Sequence, residues 1–207
     1  MISVTAALDR LFALAVPVGT VSVPLSGAYG MVLRADVVAA RDQPPFAASA
    51  MDGYAFDPAR LTPGATLPVV GEAAAGRRFD GTVGPGQAVR IFTGAPVPDG
   101  LTHVALQENV TRAAGLITLG LDALIGGPNI RPAGSDFHRG DRVTAPRTLR
   151  PADLALIAAM GAGDLTVSRP VTVALIATGD ELVPPGQPVG QDQIYTSNSF
   201  GLQAIVQ

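Results

Sequence analysis

Four short segments, each lying between apolar runs, hold the residues whose types can do chemistry. Thr178-Gly179-Asp180-Glu181-Leu182 sets two adjacent carboxylates just after an apolar, β-branched run. Carboxylate oxygens ligate hard divalent cations, so Asp180 and Glu181 are candidates to hold Mg2+; solvated loop acids are the alternative. Asn129-Ile130-Arg131-Pro132-Ala133-Gly134-Ser135-Asp136 carries one guanidinium. Arg131 can meet a phosphate or close a surface ion pair with Asp136. Arg90-Ile91-Phe92-Thr93-Gly94-Ala95-Pro96-Val97-Pro98 precedes Gln107-Glu108. A strand ending in Thr-Gly among prolines can turn a hydroxyl and backbone N–H groups towards an anion, or can be an ordinary Pro-rich turn. The fourth segment runs from Pro44 to Phe56 and contains Asp52-Gly53, a dipeptide that by itself reads as a hairpin turn.

The surrounding pattern says what must position these residues. Ser3 reads as an N-cap, and Val4, Leu8, Leu11, Phe12 and Ala15 fall on one helical face, so a helix is expected from about Val4 to Ala15, ending before Pro17. Val21–Leu25 reads as a strand, and Met31–Val38 suits either a short helix or a strand. From Gln43 to Asp141, short apolar runs alternate with Gly and Pro: Leu67–Val70, Ala88–Phe92, His103–Gln107 and Leu116–Leu119. That texture predicts a small all-β module with hairpins. Arg142–Thr144 returns as a strand. Pro151 opens a helix to Met160, with Leu154, Ile157 and Ala158 as its buried face and Gly161 as its stop. Val171–Ala177 is nearly continuous and β-branched, which predicts a strand buried on both faces of a parallel sheet. Loops at the carboxyl ends of such strands are where open α/β sheets bind ligands. A last helix is expected from Ser197 or Asn198 into Gln207. One parallel strand and one helix cannot complete a domain, so the sequence reads as the front part of something longer, or as a segment that packs on a partner.

Composition narrows the chemistry. In 207 residues, 47% are hydrophobic and 15% charged, which gives ample core material and excludes disorder. There is no Cys and no Trp, the only histidines are His103 and His138, and all 14 basic residues are Arg. Disulfides, thiolate nucleophiles, Lys Schiff bases and a P-loop lysine are therefore excluded. A net charge of -3 gives no general attraction for nucleic acid. The uncharged stretch from Leu11 to Leu33 is broken by Pro and Gly, so no membrane span is expected, and no secretory signal is legible. A cytoplasmic protein is the expectation.

Taken together and in order, the four segments resemble the molybdopterin molybdenumtransferase family, which comprises MoeA and the E domain of gephyrin. Pro44-Pro45-Phe46 with Ser49-Ala50-Met51-Asp52-Gly53-Tyr54-Ala55 is its most specific signature. Segments 90–98, 107–108, 129–131 and 178–182 follow in family order, as do Pro185–Pro188 and Gln193–Tyr195. The resemblance implies an α+β protein of several subdomains. An N-terminal helix (1–21) would pack on an α/β molybdopterin-binding domain that begins at 169–207. A linking subdomain would join 22–46 to 142–168, around a β-rich, barrel-like module at 47–141. It implies a homodimer with each site shared between chains, acting on adenylylated molybdopterin and molybdate with release of AMP in the last step of molybdenum cofactor synthesis. Mg2+ would assist, and the molybdopterin adenylyltransferase would be a partner. By motif match, Asp52, Thr93, Asp136 and Glu181 would be catalytic. Ser49, Arg131, Thr178, Gly179 and Asn198 would bind the pterin, and Asp180 with Glu181 would hold the metal.

The chain departs from the family pattern at Ala47-Ala48, where an Asp-Asn pair is common, and at Pro132-Ala133 and Thr196. Each change removes polarity near the implied cleft. A divergent paralogue that binds molybdopterin or delivers the cofactor without catalysis is one alternative, and a dimerisation scaffold is another. The sequence as it stands is expected to be inactive in isolation.

Overall fold

The computed structural model describes residues 2–16 and 18–206. The chain divides into two compact units, Met1–Val21 with Ser168–Gln207 and Ser22–Val167. The architecture is mixed α/β, with many strands and few helices.

Within the larger unit the density of Gly and Pro keeps the strands short. Before the central module come β1 (Thr20–Pro24), β2 (Val32–Leu33), β3 (Val37–Val38) and β4 (Ala48–Ser49). The ambiguous Met31–Val38 stretch is thus two short strands rather than a helix. Next come β5 (Gly53–Phe56), β6 (Thr66–Ala73), β7 (Ala88–Ile91), β8 (His103–Leu106), β9 (Val110–Ala113) and β10 (Leu116–Leu119). These six form one sheet in the order β8-β5-β7-β6-β10-β9. β5 is antiparallel to both neighbours, with Gly53 opposite Ile91 on β7 and Leu106 on β8. The hairpin of β9 and β10 turns at Ala114 and Gly115, both at positive φ. That backbone is the one a two-residue hairpin turn requires. β6 and β7 run parallel, which the sequence did not suggest, and a register shift between Val69 and Gly71 adds curl.

Pleating sends successive side chains to opposite faces, and both faces of this sheet are covered. Tyr54, Phe56, Leu67, Ile117 and Leu119 form one cluster; Ala55, Ala73, Val89, Ile91 and Val104 form the other. All four residues of β5 are buried as a result. β11 (Ile130–Arg131) pairs with β4, placing Arg131 opposite Ala48. β12 (Arg142–Val143) pairs with β3, while β13 (Arg147–Thr148) and β14 (Asp164–Ser168) flank β2.

Helix α2 (Pro151–Ala159) begins at the expected proline, but its buried stripe is Asp153, Ile157 and Met160. The expected Ala158 is exposed and Leu154 half-buried. On that face the Asp153 carboxylate is satisfied: it accepts from the Arg150 N–H at 2.9 Å and meets Arg147 Nε at 3.0 Å.

In the smaller unit, α1 (Val4–Leu14) is capped by the Ser3 hydroxyl, which accepts from the Ala6 N–H at 3.1 Å. None of its residues is buried. Pro17, the expected stop, lies outside the described residues. The Val171–Ala177 run does not form the strand expected of it, and all seven residues are exposed. A buried parallel strand is held by ladders on both edges, and this run has no ladder partner among the described residues. The parallel pairing here is between β15 (Leu182–Val183) and β16 (Ile194–Tyr195). Helix α3 covers Asn198–Val206; the expected end at Gln207 lies outside the described residues.

Candidate functional site

Backbone hydrogen bonds bring three of the four sequence segments together in the larger unit. Ser49 N–H donates to the Ala95 carbonyl at 3.0 Å, and Gly94 N–H returns to the Ser49 carbonyl at 2.8 Å. Ala50 N–H donates to the Asn129 carbonyl at 2.8 Å. The 44–56 segment is therefore stitched to both the 90–98 loop and the 129–136 loop. Ser49 itself is buried, and its hydroxyl donates to the Met51 carbonyl at 2.6 Å, shaping the bend that delivers Asp52.

Asp52 is the focus of this region. Its Oδ1 accepts from both the N–H and the hydroxyl of Thr93, each at 2.8 Å. Its carbonyl accepts from the Gln107 N–H at 3.1 Å. Two donors on one oxygen favour the ionised form, so the carboxyl is held below its ordinary value. The Thr93 N–H is the main cause and the Thr93 hydroxyl the second, with partial desolvation opposing and the Arg90 charge adding to the effect. Asp52 is exposed, so the carboxylate stays ionised and within reach of solvent. The anion that Thr93 meets is thus a side chain of this chain.

Asp52-Gly53 is not a hairpin turn. Gly53 is the first residue of β5, and a Cβ there would overlap the Ala105 carbonyl oxygen of β8. The glycine permits close approach of two strands and has no turn conformation to adopt.

Arg90 is a residue the sequence reading did not single out. On β7 it stands opposite Tyr54, and its guanidinium lies 4.9 Å from the Tyr54 ring and 4.7 Å from the Phe92 ring. It donates to the Gly53 carbonyl at 3.2 Å and to Gln107 Oε1 at 2.6 Å. The available signal was a lone charge in an otherwise apolar strand, but its partners depend on a register that the sequence does not state.

Arg131 Nη2 meets Asp136 Oδ1 at 2.6 Å, with both side chains about half-exposed (51% and 45%). Of the two readings left open, the structure takes the ion pair. The loop is tied back by Asp136 N–H to the Gln43 carbonyl and Gly134 N–H to the Pro44 carbonyl, both 2.9 Å.

The remaining predicted residues lie in the smaller unit. Gly179 has φ +144°, and a Cβ on it would fall 2.5 to 2.7 Å from the Glu181 carboxylate. Glu181 therefore folds back over a glycine that leaves it room. A cavity of about 360 Å3 is lined by Thr178, Leu182, Thr196, Ser197 and Asn198 among others, but not by Asp180 or Glu181. Among the described residues no three His, Cys, Asp or Glu side chains group closely enough to hold a metal ion. Asp180 and Glu181 thus offer at most a pair of carboxylates. That donor set suits Mg2+, which commonly keeps waters and takes one or two carboxylates together with substrate phosphate oxygens. No helix among the described residues is long and apolar enough to cross a membrane.

The chain is 42% identical over 193 residues to Molybdopterin molybdenumtransferase 2 of Mycobacterium tuberculosis H37Rv, covering 90% of this chain and 47% of that protein. It is 35% identical over 193 residues to Molybdopterin molybdenumtransferase of Haemophilus influenzae, covering 92% and 48%. A molybdopterin biosynthesis MoeA protein of Pyrococcus horikoshii OT3 superposes with a TM-score of 0.78 at 34% identity, covering 91% of this chain and 52% of that one. The chain spans about half the length of the curated relatives it matches. Residues 2–161 match the family described as MoeA N-terminal region (domain I and II), and the chain belongs to that family.

Proposed function

We propose that this chain forms the N-terminal part of a molybdenum insertase, which takes adenylylated molybdopterin and molybdate, releases AMP and leaves molybdenum on the dithiolene. The observation that carries the reading is the Asp52 carboxylate, held in place by both donors of Thr93 where three signature segments meet. The names of the relatives supply the reaction class.

The residue chemistry follows from charge. Molybdate and the adenylyl linkage are both anionic, so an ionised carboxylate cannot bind them directly. Asp52 is an acceptor at neutral pH, suited to orient a water, a substrate hydroxyl or a cation and unsuited to donate a proton. Thr93 fixes its orientation and lowers its value further. Asp180 and Glu181 are the residues that would hold Mg2+ together with linkage oxygens, and the ion would supply charge neutralisation there. Asp136 is engaged by Arg131, and on this reading it becomes available to substrate only if that pair opens. Thr178, Gly179 and Asn198 belong to the loop and helix start beside the 360 Å3 cavity, where the pterin would lie. Ser49 and Arg131 are carried as pterin-binding residues by motif match alone. A homodimer with shared sites, a cytoplasmic location and contact with the adenylyltransferase complete this reading. So does the finer division of 22–168 into a linking subdomain and a β-rich module at 47–141.

The test is complementation of an insertase-deficient strain by the longer protein carrying this region, with restored molybdoenzyme activity expected. Failure despite soluble expression would overturn it. The 207-residue chain alone should release no AMP. A second reading, a binding paralogue, is favoured by Ala47-Ala48 and Pro132-Ala133, apolar residues in loops that meet at β4 and β11. Tight pterin binding without AMP release would select it.

A further inference from the structure

Asp52 and Thr93 are far apart in sequence and lie on different segments, so something must fix their separation. Three contacts tie Asp52 and Gly53 to Arg90 and Gln107. The Gly53 carbonyl accepts from Arg90 Nη1 at 3.2 Å, and the Asp52 carbonyl accepts from the Gln107 N–H at 3.1 Å. Gln107 in turn is held through its side chain by Arg90 Nη2 at 2.6 Å. One guanidinium therefore grips both the residue after Asp52 and the residue that holds the Asp52 carbonyl. Its own strand leads, three residues later, to Thr93. The guanidinium plane is set by Tyr54, which is buried, and by Phe92. A flat fork between two rings has little freedom to move, and a lysine ammonium has neither the fork nor the plane. Glu108 also reaches this cluster: it accepts from Gln107 Nε2 at 3.1 Å and steadies the same amide.

We propose that Arg90 is the positioning residue of the site: it clamps Gly53 and Gln107 so that Asp52 meets both donors of Thr93. The catalytic consequence rests on the reading of Asp52 as an active carboxylate, but the geometric claim does not.

The experiment uses the full 207-residue chain, isotopically labelled, with Arg90→Met and Arg90→Lys variants. Nuclear magnetic resonance follows the Asp52 carboxyl titration and the hydrogen exchange of the Thr93 amide. Arg90→Met should raise the Asp52 midpoint and speed Thr93 exchange by about tenfold, as expected when a local clamp opens. Arg90→Lys keeps the charge but should still speed Thr93 exchange, which separates clamping from simple charge attraction. Parental exchange and titration in both variants, with Ile117 and Leu119 amides unchanged, would overturn the proposal. Should the Arg90 variants fail to fold, Gln107→Leu removes one arm of the clamp. It should speed Thr93 exchange by a smaller factor, and a parental rate there would also overturn the proposal. A failed complementation would sink the insertase reading while leaving these measurements to decide the clamp.

Discussion

Asp52 and Glu181 are both carboxylates near a glycine, and the two glycines do opposite work. Gly53 lets strand β8 press against β5, so Asp52 starts from a backbone fixed on two edges and then receives two donors from Thr93. Gly179 gives the Glu181 carboxylate room to fold back over its own loop, in a unit where the neighbouring apolar run has no ladder partner among the described residues. One acid is pre-set by a buried sheet. The other rests on a short parallel pair, with Ile194 N–H on the Glu181 carbonyl at 2.8 Å. A family motif therefore marks where a residue sits in sequence, while the surrounding ladder decides how firmly it is held.

The largest way to break that contrast is Gly53→Ala. The new Cβ would meet backbone between two strands, with no flexible side chain to yield, so a loss of about 3 kcal/mol or more is expected in urea unfolding. Gly190→Ala in the smaller unit is its counterpart. There a Cβ would meet only the end of the Gln193 side chain at 3.2 Å, and a change within about 0.5 kcal/mol is expected. Equal effects at the two positions would erase the distinction.

Thr93→Val sharpens it further, because it keeps the N–H and removes the hydroxyl. The folded value of Asp52 lies below its ordinary 3.8, so its contribution is present above that value and is lost as pH falls through the folded value. The variant should be less stable than the parent at neutral pH. That gap should begin to narrow as pH falls below about 4 and close once pH has passed through the parent's lower folded value, where Asp52 is protonated in both. Thermal melts across pH 3 to 7 check this, and a gap that persists unchanged into acid would contradict it. The smallest effect belongs to Arg131→Met. Its pair with Asp136 is half-exposed, so about 0.2 to 1 kcal/mol is expected, vanishing in molar salt.

Much of this was legible in the residues, and the exceptions share a cause. The β-rich texture of 43–141, the α2 proline and the Ser3 cap all rest on local chemistry, and local chemistry is written in sequence. The parallel pairing of β6 with β7 and the Arg90 clamp depend on register between distant segments. So does the role of Gly53, which local statistics assign to a turn. Val171–Ala177 failed for the converse reason: its composition is right for a buried strand, but a strand also needs edges to pair with. Arg131 with Asp136 was readable as a pair because five residues of loop suffice to bring them together. In the smaller unit the motif named Thr178, Gly179, Asp180, Glu181 and Asn198, but not which of them would share a cavity.

The central claim is that Asp52, held in place by Thr93, is part of the machinery that releases AMP from adenylylated molybdopterin. The most direct measurement is single-turnover AMP release by the longer protein carrying this region, comparing Asp52 with Asp52→Asn. Asparagine keeps the shape and removes the charge. The account predicts a rate at least about 100-fold lower with the fold unchanged. A rate in the Asp52→Asn protein equal to that of its parent would contradict it.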